Sequence, residues 1–113
     1  MLIGSGAVAV YLVAEAVDLR KSIDGLAQAV VDSLARQPVS GEVFVFGNRR
    51  RDKIKLLWWQ PHGFWLAYHR LEQGRFRWPQ ENSQFDLAQL HLLLEGIDPM
   101  VARFKKIQVD RVN

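Results

Sequence analysis

Between Val39 and Pro79 the apolar residues recur at nearly every second position, and no other feature of this 113-residue chain narrows the possible folds so much. Four segments carry the pattern: EVFVF (Glu42 to Phe46), KIKLLWW (Lys53 to Trp59), FWLAYHRL (Phe64 to Leu71) and RFRW (Arg75 to Trp78). A period of two marks β-strands, because successive side chains of a strand point to opposite faces. The segments are separated by GNRRRD, QPHG and EQG, which contain the turn formers Gly, Pro, Asn and Asp. Connections this short join antiparallel neighbours, so the stretch predicts a meander. Pairing Trp59 with Phe64 places Lys55 opposite Tyr68 and Lys53 opposite Arg70. One face of that hairpin is then aromatic at the turn and cationic at its far end. Apolar groups occur on both faces, with Leu57, Trp59 and Leu66 on one and Ile54, Leu56, Trp58 and Trp65 on the other. Whether two helices cover both is left open.

The flanks switch period. AVAVYLVAEAV, from Ala7 to Val17, is β-branched and alternating, and reads as one further strand. Ile23, Leu26, Ala27, Val30, Val31 and Leu34 then follow helical spacing and form a single apolar stripe. Ser22 is placed to cap that helix, Pro38 to stop it, and Gly25 in its first turn implies close packing or a special backbone. A second helix opens at Asp86, with Gln89 as the return arm of a capping box and Phe85 able to staple onto Leu90. Leu87, Leu90, Leu94 and Ile97 form its stripe, Gly96 ends it, and Pro99 follows. The expected fold class is α+β: an antiparallel β-meander of four to five strands packed with two helices. One domain over residues 1–113 is expected, with a basic C-terminal tail at 99–113 that forms a short helix and a loose end.

Composition excludes several classes of function. The chain has no cysteine, so disulfides and Cys-ligated zinc or iron–sulfur centres are ruled out. No apolar run approaches the ~20 residues that span a bilayer. The apolar N-terminus lacks a basic lead and is broken by Gly4, Ser5, Gly6 and Glu15, which is not the pattern of a signal peptide. A cytoplasmic protein without membrane partners is the expectation. His62, His69 and His91 lack metal-ligand spacing. Asp18, Asp24, Asp52, Glu95 and Asp98 are too scattered to hold a pair of divalent ions, and the serines lack a nucleophile context. No Gly-rich phosphate loop is present. The expectation is therefore no catalytic residue, no metal and no cofactor.

What rises above this background is charge. The net charge is only +3, yet residues 49–77 carry eight basic and two acidic groups, a local +6. Arg49, Arg50 and Arg51 stand together on a turn, followed by Lys53, Lys55, Arg70, Arg75 and Arg77. Trp58, Trp59, Trp65 and Tyr68 interleave with them as candidate stacking or interface residues. Guanidinium and ammonium groups neutralise phosphates, and exposed aromatic faces stack on bases, so this block is the candidate nucleic-acid site. The same aromatics could instead fill the core while the cations protect strand edges. Both uses stay open at this stage.

The segments GNRRRDKIKLLWW, GFWLAYHRLEQGRFRWP and LLEGID resemble the small accessory protein of insertion sequence 66 elements, the TnpB or second-open-reading-frame family. VDLRKSIDGLA is similar to the usual start of that family, and the resemblance covers roughly residues 7–98. It implies a bacterial cytoplasmic protein encoded beside a separate, larger transposase and supporting DNA transposition. It supplies no catalytic residues. Where the family usually has an acidic residue after the two aromatics, this chain has Gln60 and Pro61, which speaks against carboxylate chemistry at that turn. Two kinds of direct partner follow: DNA, bound through the basic block, or the transposase or a sibling accessory protein, docked through exposed aromatics. Homo-oligomerisation is left open.

Overall fold

A computed structural model describes residues 8–101 of the chain. Its centre is a five-stranded sheet of β1 (Val10–Leu12), β2 (Val43–Gly47), β3 (Lys53–Gln60), β4 (Gly63–Arg70) and β5 (Ser83–Phe85), in the order β4-β3-β2-β1-β5. Helices α1 (Ile23–Leu34) and α2 (Leu87–Leu94) complete it. The α+β class holds.

The purely antiparallel meander does not. Only β2, β3 and β4 form one, and β1 lies parallel to β2, with Val10 opposite Val43 and Leu12 opposite Val45. Parallel neighbours need a long crossover, and α1 supplies it, so the first half of the chain is a β–α–β unit. The long N-terminal strand is also cut to three residues. Past Leu12 the backbone finds partners outside a regular ladder. Trp78 Nε1 donates to the Val13 carbonyl at 3.1 Å, Arg51 Nη2 to the Ala14 carbonyl at 2.8 Å, and Ala14 N–H to Asn82 Oδ1 at 2.9 Å. Those side chains lie 37 to 68 residues away, beyond the reach of a local pattern.

RFRW is the second correction. Arg75 to Trp78 has no regular secondary structure and joins no ladder. Phe76 is buried, Trp78 is partly buried, and Arg75 and Arg77 are exposed. The alternation is real, yet it comes from a strap lying across the sheet. Trp78 stacks so tightly over Gly47 that a Cβ there would sit 2.7 Å from the indole. The fifth strand is β5, a short edge antiparallel to β1.

The capping signals read from the sequence are present, but the apolar stripes are narrower than expected. Val31 of α1 is exposed, and Ile97 is exposed beyond the end of α2, because that helix closes at Gly96 before reaching it. Ser22 Oγ accepts from Gly25 N at the start of α1, and Ala35 ends it in the left-handed conformation before Pro38 is reached. A Cβ on Gly25 would meet the Lys21 side chain at 3.2 Å, the close packing anticipated there. Asp86 and Gln89 form the reciprocal capping box of α2, at 2.8 and 3.0 Å. Gly96, with φ of 80°, closes that helix: Ile97 N donates to the Leu92 carbonyl and Gly96 N to that of Leu93.

The two helices take opposite faces. Leu26 and Val30 of α1 pack on Phe44, Phe46 and Leu57. Leu90 and Leu93 of α2, with Phe76, pack on Val43, Val45, Ile54, Leu56 and Trp58. Neither helix reaches far over the β4 edge, where Trp65 on one face and Tyr68 on the other stay exposed. Residues 102–113, most of the basic tail, lie outside the described residues.

Candidate nucleic-acid interface

The β2–β3 turn decides what the arginine triplet does. Asn48 Oδ1 accepts from the backbone N–H of Asp52 and Lys53 at 3.1 and 3.0 Å, and Asn48 Nδ2 donates to Asp52 Oδ1. The amide of Asn48 is the main reason that the Asp52 carboxyl is held below its ordinary range, and the charges of Lys53 and Arg50 add to it. Pinned in this way, the turn presents Arg49 and Arg50 to solvent and turns Arg51 inward.

Arg51 takes a left-handed backbone, φ 59°, that a β-carbon residue adopts at some cost. Its guanidinium donates to the carbonyls of Ala14 and Asn48 and lies 4.8 Å from the Trp78 ring. Its own carbonyl accepts from Phe76 N. Burial lowers its pKa. Arg51 thus clasps the segment after β1, the turn and the strap together.

On the α1 face, beside that turn, a cleft of about 800 Å³ opens. One wall is the loop after β1, from Ala16 to Arg20; the other is built by Asn48, Arg49, Arg50, Lys53 and Lys55, with Leu66 and Tyr68 of β4. The expected hairpin register is borne out, with Lys53 opposite Arg70, Lys55 opposite Tyr68 and Trp59 opposite Phe64. This register aligns Lys53, Lys55 and Tyr68 on one face. Lys55 Nζ donates to the Leu19 carbonyl across the cleft and lies 5.9 Å from the Tyr68 ring centroid.

Five cations line the cleft: Arg20, Arg49, Arg50, Lys53 and Lys55. Its one carboxylate, Asp18, is already paired with Arg20 at 2.9 Å, and hydrogen bonds from that guanidinium and from the Arg20 backbone hold its pKa at about 2. Among the described residues, Arg49, Arg50 and Lys53 have no ion-pair partner. Arg20 was not anticipated from sequence. Its segment is electrically balanced, and only the β–α–β crossover brings it opposite the turn.

The remaining candidates separate. Arg70 pairs with Glu72 at 2.8 Å, and Arg70, Arg75 and Arg77 do not line the cleft. Trp58 is core, 4% exposed, and its indole N–H finds no partner among the described residues. Trp59 meets Phe64 edge to face, with ring centroids 4.9 Å apart. Trp65 stacks over Trp58 and remains 45% exposed, while Tyr68 is 55% exposed. Of the four aromatics singled out, Tyr68 alone lines the cleft. Among the described residues, no three His, Asp or Glu side chains converge to hold a metal ion, and no helix is long and apolar enough to cross a membrane.

Residues 8–104 match the model of a protein family described as IS66 Orf2 like protein. The chain belongs to this family. The resemblance seen in the turn and hairpin segments is thereby confirmed, and membership points to an accessory role in transposition. Two relatives come from Sinorhizobium fredii (strain NBRC 101917 / NGR234). One, "Uncharacterized protein y4hO", is 35% identical over 94 residues, covering 80% of this chain and 82% of its own length. The other, "Uncharacterized protein y4jC", is 28% identical over 92 residues, covering 79% of each. No solved structure matches with comparable significance.

Proposed function

We propose that this IS66 Orf2-like protein is a non-catalytic, cytoplasmic accessory factor that supports transposition by holding DNA through the cationic cleft. The observation that carries this reading is the imbalance of the cleft, five cations around one carboxylate that is itself already paired. Like charges gathered on a pinned turn repel one another. A polyanion relieves that repulsion and releases its own counterions on binding. Arg49, Arg50, Lys53 and Lys55 are the primary phosphate contacts in this reading, with Arg20 facing them. Arg70, Arg75 and Arg77 add to the long-range field, and Arg51 acts by shaping the turn.

Fluorescence-anisotropy titrations with labelled DNA at several salt concentrations test it. Each phosphate contact contributes about −0.9 to the log–log salt slope on duplex, so Arg49/Arg50/Lys53→Ala should flatten that slope by about 1–3 units. Because backbone contacts position without reading bases, affinity should fall alike for unrelated sequences. An unchanged slope, or no affinity in the wild type at low salt, refutes the proposal.

A second reading rests on β4. This strand is an eight-residue sheet edge with Trp65 exposed beside it. An open edge is a template for another strand. The transposase or a sibling accessory protein docking there would protect Trp65 and the amides of β4 from exchange, while the salt-dependent DNA titration would stay flat.

A further inference from the structure

We infer that the cleft receives unpaired nucleotides of single-stranded DNA, with a base against the Tyr68 ring and the flanking phosphates on the cationic rim. The inference rests on the DNA-binding reading and specifies which form of DNA the site fits. Its starting point is that the cleft is not uniformly polar. Val17, Leu19 and Leu66 line it with apolar surface, and the cations Arg49, Arg50 and Lys53 stand around that surface. A duplex offers phosphates and the edges of stacked, paired bases, which would engage the cations and leave the apolar surface wet. An unpaired nucleotide offers a flat, largely apolar base and a phosphate on one short tether, matching both parts at once.

Size and placement agree. A space of about 800 Å³ is within the range of pockets that receive small organic ligands, the size class of a single nucleotide. Tyr68 sits on the edge strand beyond the cover of α1, so its ring is more than half exposed. The Lys55 ammonium, held by the Leu19 carbonyl, lies over one face of that ring, 5.9 Å from its centroid, so a base stacked on the other face has a positive charge close by for its phosphate. Trp59 cannot take this role, because it does not line the cleft. Nor can Trp65, which stacks on Trp58 on the opposite face of the sheet.

The test is a set of anisotropy titrations with one labelled oligonucleotide, presented as single-stranded DNA, as the annealed duplex and as the RNA of the same sequence. Wild type, Tyr68→Leu and Tyr68→Phe are compared, with folding checked by circular dichroism. The single strand should bind at least roughly tenfold more tightly than the duplex. Tyr68→Leu should lose roughly 5- to 150-fold in single-strand affinity, the range measured for removing a base–aromatic stack, and leave duplex binding unchanged. Tyr68→Phe, which keeps the ring, should bind like wild type. Duplex affinity equal to or above that of the single strand, or a Tyr68→Leu variant that binds the single strand as well as wild type, overturns this inference while leaving the DNA-binding reading intact. RNA bound more than tenfold above the DNA strand overturns the assignment to DNA. Failure to bind any nucleic acid overturns both.

Discussion

The turn at residues 48–52 and the strap at residues 75–78 look alike in sequence, and the fold uses them in opposite ways. Each combines arginines with neighbouring aromatics. On the strap the aromatics do the structural work: Phe76 is buried and Trp78 bonds to the Val13 carbonyl, while Arg75 and Arg77 are exposed. At the turn one of the arginines does that work. Arg51 is drawn in beneath the strap, and Arg49 and Arg50 are left at the mouth of a cleft. The comparison shows that a basic–aromatic pattern specifies neither a core nor a binding site. The decision falls residue by residue, according to which groups find partners inside the fold.

Substitutions can break that comparison. The largest effect is expected on the strap, where Phe76→Ala should cost about 3–5 kcal/mol in a urea or thermal titration, because a large buried ring is replaced by a cavity. Its neighbour Arg77→Ala should stay within about 0.5 kcal/mol of wild type. Similar values for the two would mean that the strap is not anchored as described.

Next in size is Arg51→Ala, which strands the Ala14 carbonyl and removes the cation beside Trp78. A loss of about 1.5–3 kcal/mol is expected, the usual scale for hydrogen bonds to a charged group, against about 0.5 kcal/mol or less for Arg50→Ala. Arg51→Gly sharpens the point. It loses the same contacts but relieves the backbone at φ 59°, so it should be more stable than the alanine variant. If Arg50→Ala proves the more damaging of the two alanine variants, inward and outward arginines have been exchanged.

The smallest effect concerns Asp18, whose carboxyl is held at about 2 against an ordinary 3.8, mainly by the Arg20 guanidinium. A depressed carboxylate pKa stabilises the fold above the ordinary value, and that contribution is lost as pH falls from about 4 towards 2. Arg20 is exposed and Asp18 half-exposed, so solvent screens the pair and the contribution is small. In acid titrations followed by circular dichroism, Asp18→Asn should be slightly less stable than wild type near neutrality, and the difference should disappear at the acid end. A difference that persists below the pKa of Asp18 would show that the ion pair is not its source.

Several elements were legible in the residues themselves. Ser22, the Asp86–Gln89 capping box and Gly96 mark helix ends through bonds to residues within a few positions, so local sequence determines them. The β3–β4 register was legible for the same reason. A tight turn at Pro61 and His62 links strands of matching period, and shifting the pairing by one would turn every side chain to the wrong face. The concentration of charge near residue 50 is likewise a property of the chain alone. Tertiary structure decided the rest. Alternation in RFRW cannot distinguish a strand from a strap, since both bury every second side chain. The pairing of β1 with β2 depends on closing a long crossover, and the truncation of β1 depends on Arg51, Trp78 and Asn82 arriving from far along the chain. The cleft itself joins Arg20 to Lys53, residues that meet only after the β–α–β unit closes on the hairpin. Local signals survive in sequence because their energies act over one turn of chain. The binding surface does not, because its residues become neighbours only through contacts that the whole core must pack to create.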